Sequence, residues 1–374
     1  MSYRLTEEQE LIRKNARDFA KQYLEPFAAR LDESGECPAE IIRDMALHNF
    51  LGWFLPVDFG GAEVGYLSYI LGVEELSRVT ASVASIVIHH SAAAYAIHHW
   101  GTADQHKTYL PALASGEKLA AIAVDPSRPG WGKGKSTVTA VPQDEGHMLN
   151  GTCPYVANGG VAGLCVVFAC TDPAVGAKSL SAFIVDSKAP GMTVGAKKVT
   201  MGLRACAMAD VTFQNVKAEL LGTVNQGASI ATELLAATAI AEAAQTVGIV
   251  STAVEHAAKY ARQRVQFGRS ISAFQAIQGK LADVATNCHV ARLAIYDAAT
   301  LLEEGKPFVT EAAMVKLFAE RLGLNALFET VQVEGGYGYS EEMPMAKWFR
   351  DVYGTTIRKG FPEPLEQIIA FSIA

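Results

Sequence analysis

The first 118 residues carry apolar side chains at the spacing of α-helices. Thr6, followed by acidic residues, is typical of a helix start, and apolar residues then recur every three or four positions as far as Leu24. Phe59-Gly60-Gly61 interrupts this pattern, and helical spacing resumes over 66–78 and 82–97. The pattern predicts a helical N-terminal domain over residues 1–118.

Residues 119–224 show the pattern of short β-strands instead. Their apolar segments are brief, rich in Val, Phe and Thr, and separated by Gly, Pro and Asp. Several short strands with frequent turns are typical of a small antiparallel barrel or sandwich. The segments are 136–141, 161–169, 181–185 and 210–213.

Long alanine-rich helices return in residues 225–374. The predicted helices cover 228–262, 272–304 and 310–334, and short turns join them, which favours a four-helix bundle. The chain therefore divides into three predicted domains. These are an N-terminal all-α domain (1–118), a middle β-barrel or sandwich domain (119–224) and a C-terminal four-helix bundle (225–374).

The composition is that of a globular protein with a large core. Of the 374 residues, 50% are hydrophobic and 19% charged, and the net charge is −7. The negative charge argues against nucleic acid as a partner. No apolar run reaches the ~18 residues of a membrane span, and the polar N-terminus does not resemble a signal peptide, so we expect a cytoplasmic protein.

The cysteines and histidines do not form a recognisable metal site. None of the six cysteines belongs to a C-x-x-C pair. The pairs His89-His90 and His98-His99 lack carboxylate or cysteine companions at ligand spacing. We therefore expect free thiols, buried or capping histidines, and no bound metal.

Five groups of short strings, in order along the chain, carry a resemblance to a known family. They are Gly101-Thr102 with Tyr109-Leu110-Pro111 and Gly116-Glu117; Leu149-Asn150-Gly151 with Asn158-Gly159-Gly160; Met201-Gly202-Leu203-Arg204; Arg264 to Gly268 with Phe274-Gln275; and Gln332 with Gly335-Gly336-Tyr337-Gly338 and Arg350-Asp351. Any one of them alone is weak, but together, with matching spacing, they are specific. On these strings the sequence resembles the acyl-CoA dehydrogenase family over nearly its whole length.

The resemblance implies the family's three-domain fold, FAD as cofactor, an acyl-CoA thioester as substrate, and a homotetramer arranged as a dimer of dimers. It assigns Arg264 to the FAD pyrophosphate and Phe267 to a flat contact with a ring. Gln275, Gln332 and Gly336 belong to the adenosine end, which lies on a neighbouring subunit in the family. The alternative for the glycine string is a tight turn between bundle helices.

The sequence departs from the family where the catalytic base is expected. The family's glutamate follows the Arg-Asp pair in a Y-E-G-T-x-E string, which reads Arg358-Lys359-Gly360-Phe361-Pro362-Glu363 here. The second position used by some members lies in 236–239, which holds neither Glu nor Arg. An ordinary lysine is protonated at neutral pH and cannot remove a proton beside a thioester. Lys359 and Arg358 are instead candidate electrostatic groups, unless they form a solvated basic helix start.

The flavin side has changed as well. The family has a loop near the flavin with two hydroxyl residues, and this sequence has Val124 and Trp131 at those two positions. The family's W-I-T-N string reads Tyr155-Val156-Ala157-Asn158 here. The resemblance assigns Val124, Tyr155 and Ala157 to the flavin, and we assign Arg204 and Trp131 to the substrate. Loss of the hydroxyl at Ala157 alters flavin tuning and opens space beside the ring.

Three functions follow from these departures. The first is a flavoenzyme with altered chemistry on an activated or cyclic acyl-CoA, including a monooxygenase that uses dioxygen, because cations near the flavin stabilise an enolate or peroxide anion. The second is a catalytically silent subunit that completes a partner's FAD site. The third, an unmodified dehydrogenase of β-oxidation, is the weakest because both base positions lack a carboxylate.

Overall fold

The structure, a computed structural model, describes residues 5–124, 137–143, 146–172, 176–357 and 364–373. Three predicted site residues, namely Trp131, Arg358 and Lys359, lie outside these ranges. The described residues form a helical region, a β-barrel and a helical bundle in that order, which confirms the predicted fold class. We propose the domain boundaries after Lys118 and Val224.

The N-terminal domain contains the helices that its spacing predicts. At the first of them, Thr6 Oγ1 accepts a hydrogen bond from the Gln9 amide (3.2 Å), and Gln9 Oε1 accepts one from the Thr6 amide (2.9 Å). This reciprocal capping box fixes where the chain enters the helix. A π-helical turn (Ala20–Leu24) follows directly. The helices are α1 (Glu7–Phe19), α2 (Ala28–Ser34), α3 (Ala39–Leu47), α4 (Tyr66–Val79), α5 (Ala81–Trp100) and α6 (Ala103–Ala114).

Helix α5 lies in the centre of the domain, and its residues 81–97 are all buried. The imidazole of His90 bridges two other parts of the fold. Its Nδ1 accepts a hydrogen bond from the Ala120 amide (3.1 Å), and its Nε2 lies 3.1 Å from the Leu51 carbonyl. His89 Nδ1 bonds the Ser85 carbonyl at 2.8 Å. The interpretation of this pair as buried histidines is confirmed.

Burial lowers the pKa of His90 from 6.5 to about 4. A folded-state pKa below that of the unfolded chain stabilises the protein above pH ~6.5, and this contribution is lost as the pH falls through about 4. His90→Gln can make both hydrogen bonds but does not titrate. When the pH falls from 7 to 4, we expect its free energy of unfolding to decrease by roughly 2–3 kcal/mol less than that of the wild type. Urea unfolding of both proteins at the two pH values measures this difference. An equal acid loss in both would show that His90 does not titrate there.

In the described part of the chain, the middle domain is a closed five-stranded barrel with two further strands paired beside it. Strands β2, β3, β7 and β5 pair in sequence, and β4 closes the ring by pairing with both β5 and β2. Most pairings are antiparallel, as predicted, and β1 extends the sheet beside β4 in parallel. The strands are β1 (Ala120–Ala123), β2 (Val138–Gln143), β3 (Gly146–Val156), β4 (Leu164–Cys170), β5 (Leu180–Asp186), β6 (Met192–Val194) and β7 (Ala209–Leu221).

The C-terminal domain packs its helices around one long element. That helix is apolar and long enough to cross a membrane, but its most apolar window is entirely buried within the protein, as is normal for a core helix. The elements are α7 (Gly227–Gln263), β8 (Val265–Gln266), β9 (Arg269–Ser270), α8 (Gln275–Glu303), α9 (Val309–Glu334), α10 (Gly336–Tyr339), α11 (Met345–Thr355) and α12 (Leu365–Ser372).

The Arg350-Asp351 pair of α11 joins the bundle to the barrel. The Asp351 carboxylate accepts a hydrogen bond from the Leu203 amide (2.7 Å), and Arg350 donates one to the Met201 carbonyl (2.9 Å). A side chain at Gly202 would place its Cβ 2.1 Å from the Arg350 carbonyl oxygen, so only glycine fits. Two of the strings shared with the family therefore form one contact between domains.

Candidate functional site

An open groove of about 520 Å³ lies where α7, α9 and α10 meet. Three of the predicted cofactor-binding residues line it: Arg264 from the end of α7, Gln332 from α9, and Gly336 from the start of α10. The guanidinium carbon of Arg264 lies 6.0 Å from the centre of the Tyr337 ring, also in the groove. Residues that are far apart in sequence thus form one surface.

Phe267 is at the tip of a two-residue hairpin between β8 and β9. Its φ of +52° and the +77° of Gly268 give the left-handed turn that such hairpins require. The Phe267 side chain is 92% exposed. Gln275, the first residue of α8, is exposed nearby in sequence.

The glycines open the groove floor. Gly335 has a φ of +61°, and a Cβ added at Gly335 or Gly336 would meet no atom within 4 Å. The string therefore makes the turn between two helices, as the alternative predicted, and also leaves room for a ligand.

Glu334 lies at the edge of the same groove with a buried side chain. Its buried carboxylate pairs with His256 Nδ1 at 2.7 Å through one oxygen, while the other oxygen has no hydrogen-bond partner. This oxygen is enclosed by the protein and does not face the groove.

The groove fits the adenosine diphosphate half of FAD. Arg264 offers a planar fork for the pyrophosphate. The glycines let a ligand approach the backbone. No residue of the β3 turn is among those that line the groove, so the two halves of the predicted flavin site lie on separate surfaces of the described chain.

The flavin-side residues cluster in the turn that ends β3. A register shift between Cys153 and Val156 against β7 turns Tyr155 outward; its φ is +54° and its side chain is 55% exposed. Asn158 anchors this turn, because its amide donates to the Ile86 carbonyl (2.9 Å) and the Ala120 carbonyl (3.2 Å).

Ala157 and Val124 lie deeper than Tyr155. Ala157 is buried, whereas Val124 is half-buried and is the last described residue before a gap. Tyr155 thus presents a ring at the surface with Lys198 Nζ 5.1 Å from its centre. Contact of all three with the flavin stays a prediction.

Arg204 lies at the junction of the N-terminal and middle domains. Its guanidinium donates to the Asp32 carbonyl oxygen at 3.5 Å. This contact gives Arg204 a partner in the protein, and its assignment to the substrate stays a prediction.

Sequence reasoning did not find a second cavity, between α4, α5 and α7. Its volume of about 10 Å³ is roughly that of one water. Three tyrosine rings form part of its wall; the centre of the Tyr66 ring lies 5.3 Å from that of Tyr69 and 6.3 Å from that of Tyr95. The lining residues are Phe54, Tyr66, Tyr69, Ile88, Ser91, Ala92, Tyr95, Leu234, Ala237 and Thr238.

The only hint of this cavity in the sequence is the spacing of Tyr66 and Tyr69, which puts them on one face of a helix. Burial raises the pKa of both Tyr66 and Tyr95, so both phenols stay protonated at neutral pH. Neither phenol is therefore ionised to act as a base at neutral pH.

Comparison with known families matches all three domains. The models of the N-terminal, middle and C-terminal domains of acyl-CoA dehydrogenase match residues 6–117, 126–216 and 225–374. The match thus covers most of the chain in the same domain order.

Individual relatives align along almost the full chain. An acyl-CoA dehydrogenase of Bacillus subtilis (strain 168) is 39% identical, with 98% of each chain covered. The acryloyl-CoA reductase (NADH) of Anaerotignum propionicum is 38% identical over 99% of this chain and 95% of its own. The structure of butyryl-CoA dehydrogenase from Megasphaera elsdenii superposes with a TM-score of 0.95 at 35% identity over 100% of both chains. The chain therefore belongs to the acyl-CoA dehydrogenase family and is an FAD-dependent oxidoreductase that acts on CoA thioesters.

Proposed function

We propose that this enzyme acts on a short acyl-CoA thioester and lacks a carboxylate at both positions where the family holds its base. The tyrosine-lined cavity is the observation that carries the proposal. It is lined by Ala237 and Thr238, in the segment 236–239 where some family members carry the base. A base there contacts the carbon next to the thioester, so we place the end of the acyl chain against this one-water cavity.

The size of the cavity supports a short chain. A space of about 10 Å³ behind three tyrosine rings has room for one terminal group and none for a long aliphatic tail. Two of the relatives compared above are named for acryloyl-CoA and butyryl-CoA, which are short acyl thioesters.

Affinity for a series of acyl-CoAs tests this proposal. Titration of the flavin absorbance with acetyl-, propionyl-, butyryl-, hexanoyl- and octanoyl-CoA should show tightest binding at three or four carbons. Octanoyl-CoA should bind at least about tenfold more weakly, because its tail meets the tyrosines. Equal affinity for octanoyl-CoA would contradict the assignment of the cavity.

We further propose that the enzyme is a homotetramer, a dimer of dimers, in which the groove binds the adenosine half of a neighbour's FAD. The separation of the groove from the β3 turn supports this, since one chain presents the two halves on different surfaces. The exposed Phe267 ring, at the hairpin tip, is placed for contact with another molecule.

Arg264→Ala should lower the FAD content sharply and loosen the oligomer. A charge-assisted bond to a pyrophosphate contributes about 1.5–3 kcal/mol, so we expect FAD affinity to fall roughly 10- to 100-fold. Absorbance at 450 nm per chain and sedimentation give the two readouts. Arg262→Ala, two residues earlier on α7, is the matched control and should keep its flavin. If Arg264→Ala keeps its full flavin content and its oligomeric state, Arg264 does not bind the FAD pyrophosphate.

A monooxygenase reaction on an activated thioester is the finer form of this proposal. The substitutions at Ala157, Val124 and Lys359 support it, because they remove a hydroxyl and a carboxylate and add a cation at positions assigned to one site. The test is to reduce the bound flavin, add labelled dioxygen with substrate, and analyse the product. Incorporated label supports the reaction; reoxidation without incorporation, in wild type and Lys359→Met alike, argues against it.

The silent-subunit alternative makes a different prediction for the purified chain. A chain that binds about one FAD and is yellow favours the enzyme. A colourless chain favours a subunit that only completes a partner's site.

A further inference from the structure

The wall of the tyrosine-lined cavity is unusually rich in hydroxyl groups. Five of its ten lining residues carry one: Tyr66, Tyr69, Ser91, Tyr95 and Thr238. A pocket for a plain hydrocarbon chain needs no such groups, since buried polar atoms cost free energy unless they are hydrogen-bonded. The hydroxyls therefore indicate what kind of terminal group the acyl chain carries.

Three of these hydroxyls have already used their hydrogen atoms. Tyr66 donates to the Ala237 carbonyl oxygen at 2.8 Å, and Thr238 donates to the Leu234 carbonyl oxygen at 2.7 Å. Tyr95 donates to Glu233 Oε1 at 3.2 Å. A hydroxyl has one hydrogen and two lone pairs, so what these three still offer is acceptor capacity.

The charged groups near the cavity also favour a hydrogen-bond donor, and in particular a positively charged one. Through Tyr95, the Glu233 carboxylate lies one hydrogen bond away from the cavity. No lysine or arginine is among the ten lining residues. His99 stacks on Tyr95 with ring centres 4.1 Å apart, and burial lowers its pKa, so it is neutral at pH 7. The local field therefore favours a positive group over a negative one.

We propose that the acyl group ends in a hydrogen-bond donor, and that an ammonium is preferred to a hydroxyl. This deepens the proposed function and rests on it, because it assumes that the terminal group of the acyl chain enters the one-water cavity. A terminal ammonium would donate to the hydroxyl oxygens of the wall and face the charge of Glu233. A terminal carboxylate or keto group would find no free donor at Tyr66, Thr238 or Tyr95. The hydroxyls of Tyr69 and Ser91 are hydrogen-bonded to each other.

Three isosteric CoA thioethers separate this preference from catalysis. S-butyl-CoA, S-(3-hydroxypropyl)-CoA and S-(3-aminopropyl)-CoA differ only in a terminal methyl, hydroxyl or ammonium. None has a carbonyl, so none can lose an activated α-proton and binding is measured alone. Calorimetry with the flavin-loaded enzyme should rank the amine first and the methyl last, with about tenfold or more between them.

Variants of one helix locate the cause of the preference. Glu233→Gln keeps an acceptor for Tyr95 but removes the charge, so the advantage of the amine over the hydroxyl should shrink several-fold while affinity for S-butyl-CoA is unchanged. Glu255→Gln is the control; it makes the same change on α7 at a glutamate that pairs with Arg78 at the surface. It should leave all three affinities unchanged.

Each outcome decides between distinct conclusions. Equal affinities for the three thioethers, or tightest binding of S-butyl-CoA, would overturn the donor preference while leaving a short-chain site intact. If octanoyl-CoA binds as tightly as butyryl-CoA, so that affinity does not depend on chain length, the proposed function itself would be overturned. An amine preference that survives in Glu233→Gln would contradict the role of Glu233.

Discussion

Lys359→Glu should turn an enzyme that straight-chain acyl-CoAs hardly reduce into one whose flavin they bleach. A carboxylate at this position restores the group that takes the α-proton, and positioned general bases contribute about 10²- to 10⁴-fold in rate. We expect propionyl-CoA and butyryl-CoA, added without oxygen, to leave the wild-type flavin nearly unchanged and to reduce that of the variant at least a hundredfold faster. Stopped-flow absorbance at 450 nm follows the reaction.

Lys359→Gln separates the base from the charge. It removes the cation without adding a base, so it should stay as slow as wild type. Rapid bleaching of the wild-type protein would show that a base exists elsewhere, with Glu363 as the nearest candidate in sequence. Bleaching of Lys359→Gln at the rate of Lys359→Glu would show that the lysine only blocks the reaction.

The sequence predicted the fold well because each domain has its own period. Helical spacing predicted α7 over 228–262, and the structure has it at Gly227–Gln263. The alternation and turn residues of 119–224 predicted a barrel or a sandwich. The pairing of β4 with both β5 and β2 shows that the domain is a barrel. These signals are local, so a single sequence contains them.

The cofactor groove was also predictable in part. Arg264, Gln332 and Gly336 were assigned through strings of residues, and the structure brings them together. The unpartnered carboxylate oxygen of Glu334 at the edge of the same groove was not predicted, since its burial depends on His256 from another helix.

The tyrosine-lined cavity could not be predicted from the sequence. It depends on Tyr66 and Ala237, which are 171 residues apart and are joined by one hydrogen bond. Periodicity shows that each of their helices has a buried face, but it does not show which residues of two such faces meet. The hydroxyl-rich wall therefore emerges only from tertiary packing.

A buried ion cluster in the bundle also arises only from tertiary packing. Removing its cation has the largest effect on stability that we expect for this protein. Lys316 on α9 is 1% exposed; its ammonium lies 2.9 Å from Glu242 on α7 and 3.6 Å from Glu320. It also donates to the carbonyl of Thr355, the last residue of α11. One cation thus ties three helices together and caps the end of one of them.

Lys316→Met should cost about 3–5 kcal/mol of stability, because it leaves buried carboxylates without the ammonium that faces them. Lys306→Met is the matched control; its lysine pairs with Glu304 at the surface, where such pairs contribute about 0–1 kcal/mol. Urea unfolding of the three proteins, followed by tryptophan fluorescence, measures the difference. Replacing the Glu242 partner as well, in Lys316→Met with Glu242→Leu, should recover part of the loss, since an apolar pair needs no compensating charge. If the double variant is less stable than Lys316→Met alone, the carboxylate of Glu242 is stabilised by something other than Lys316.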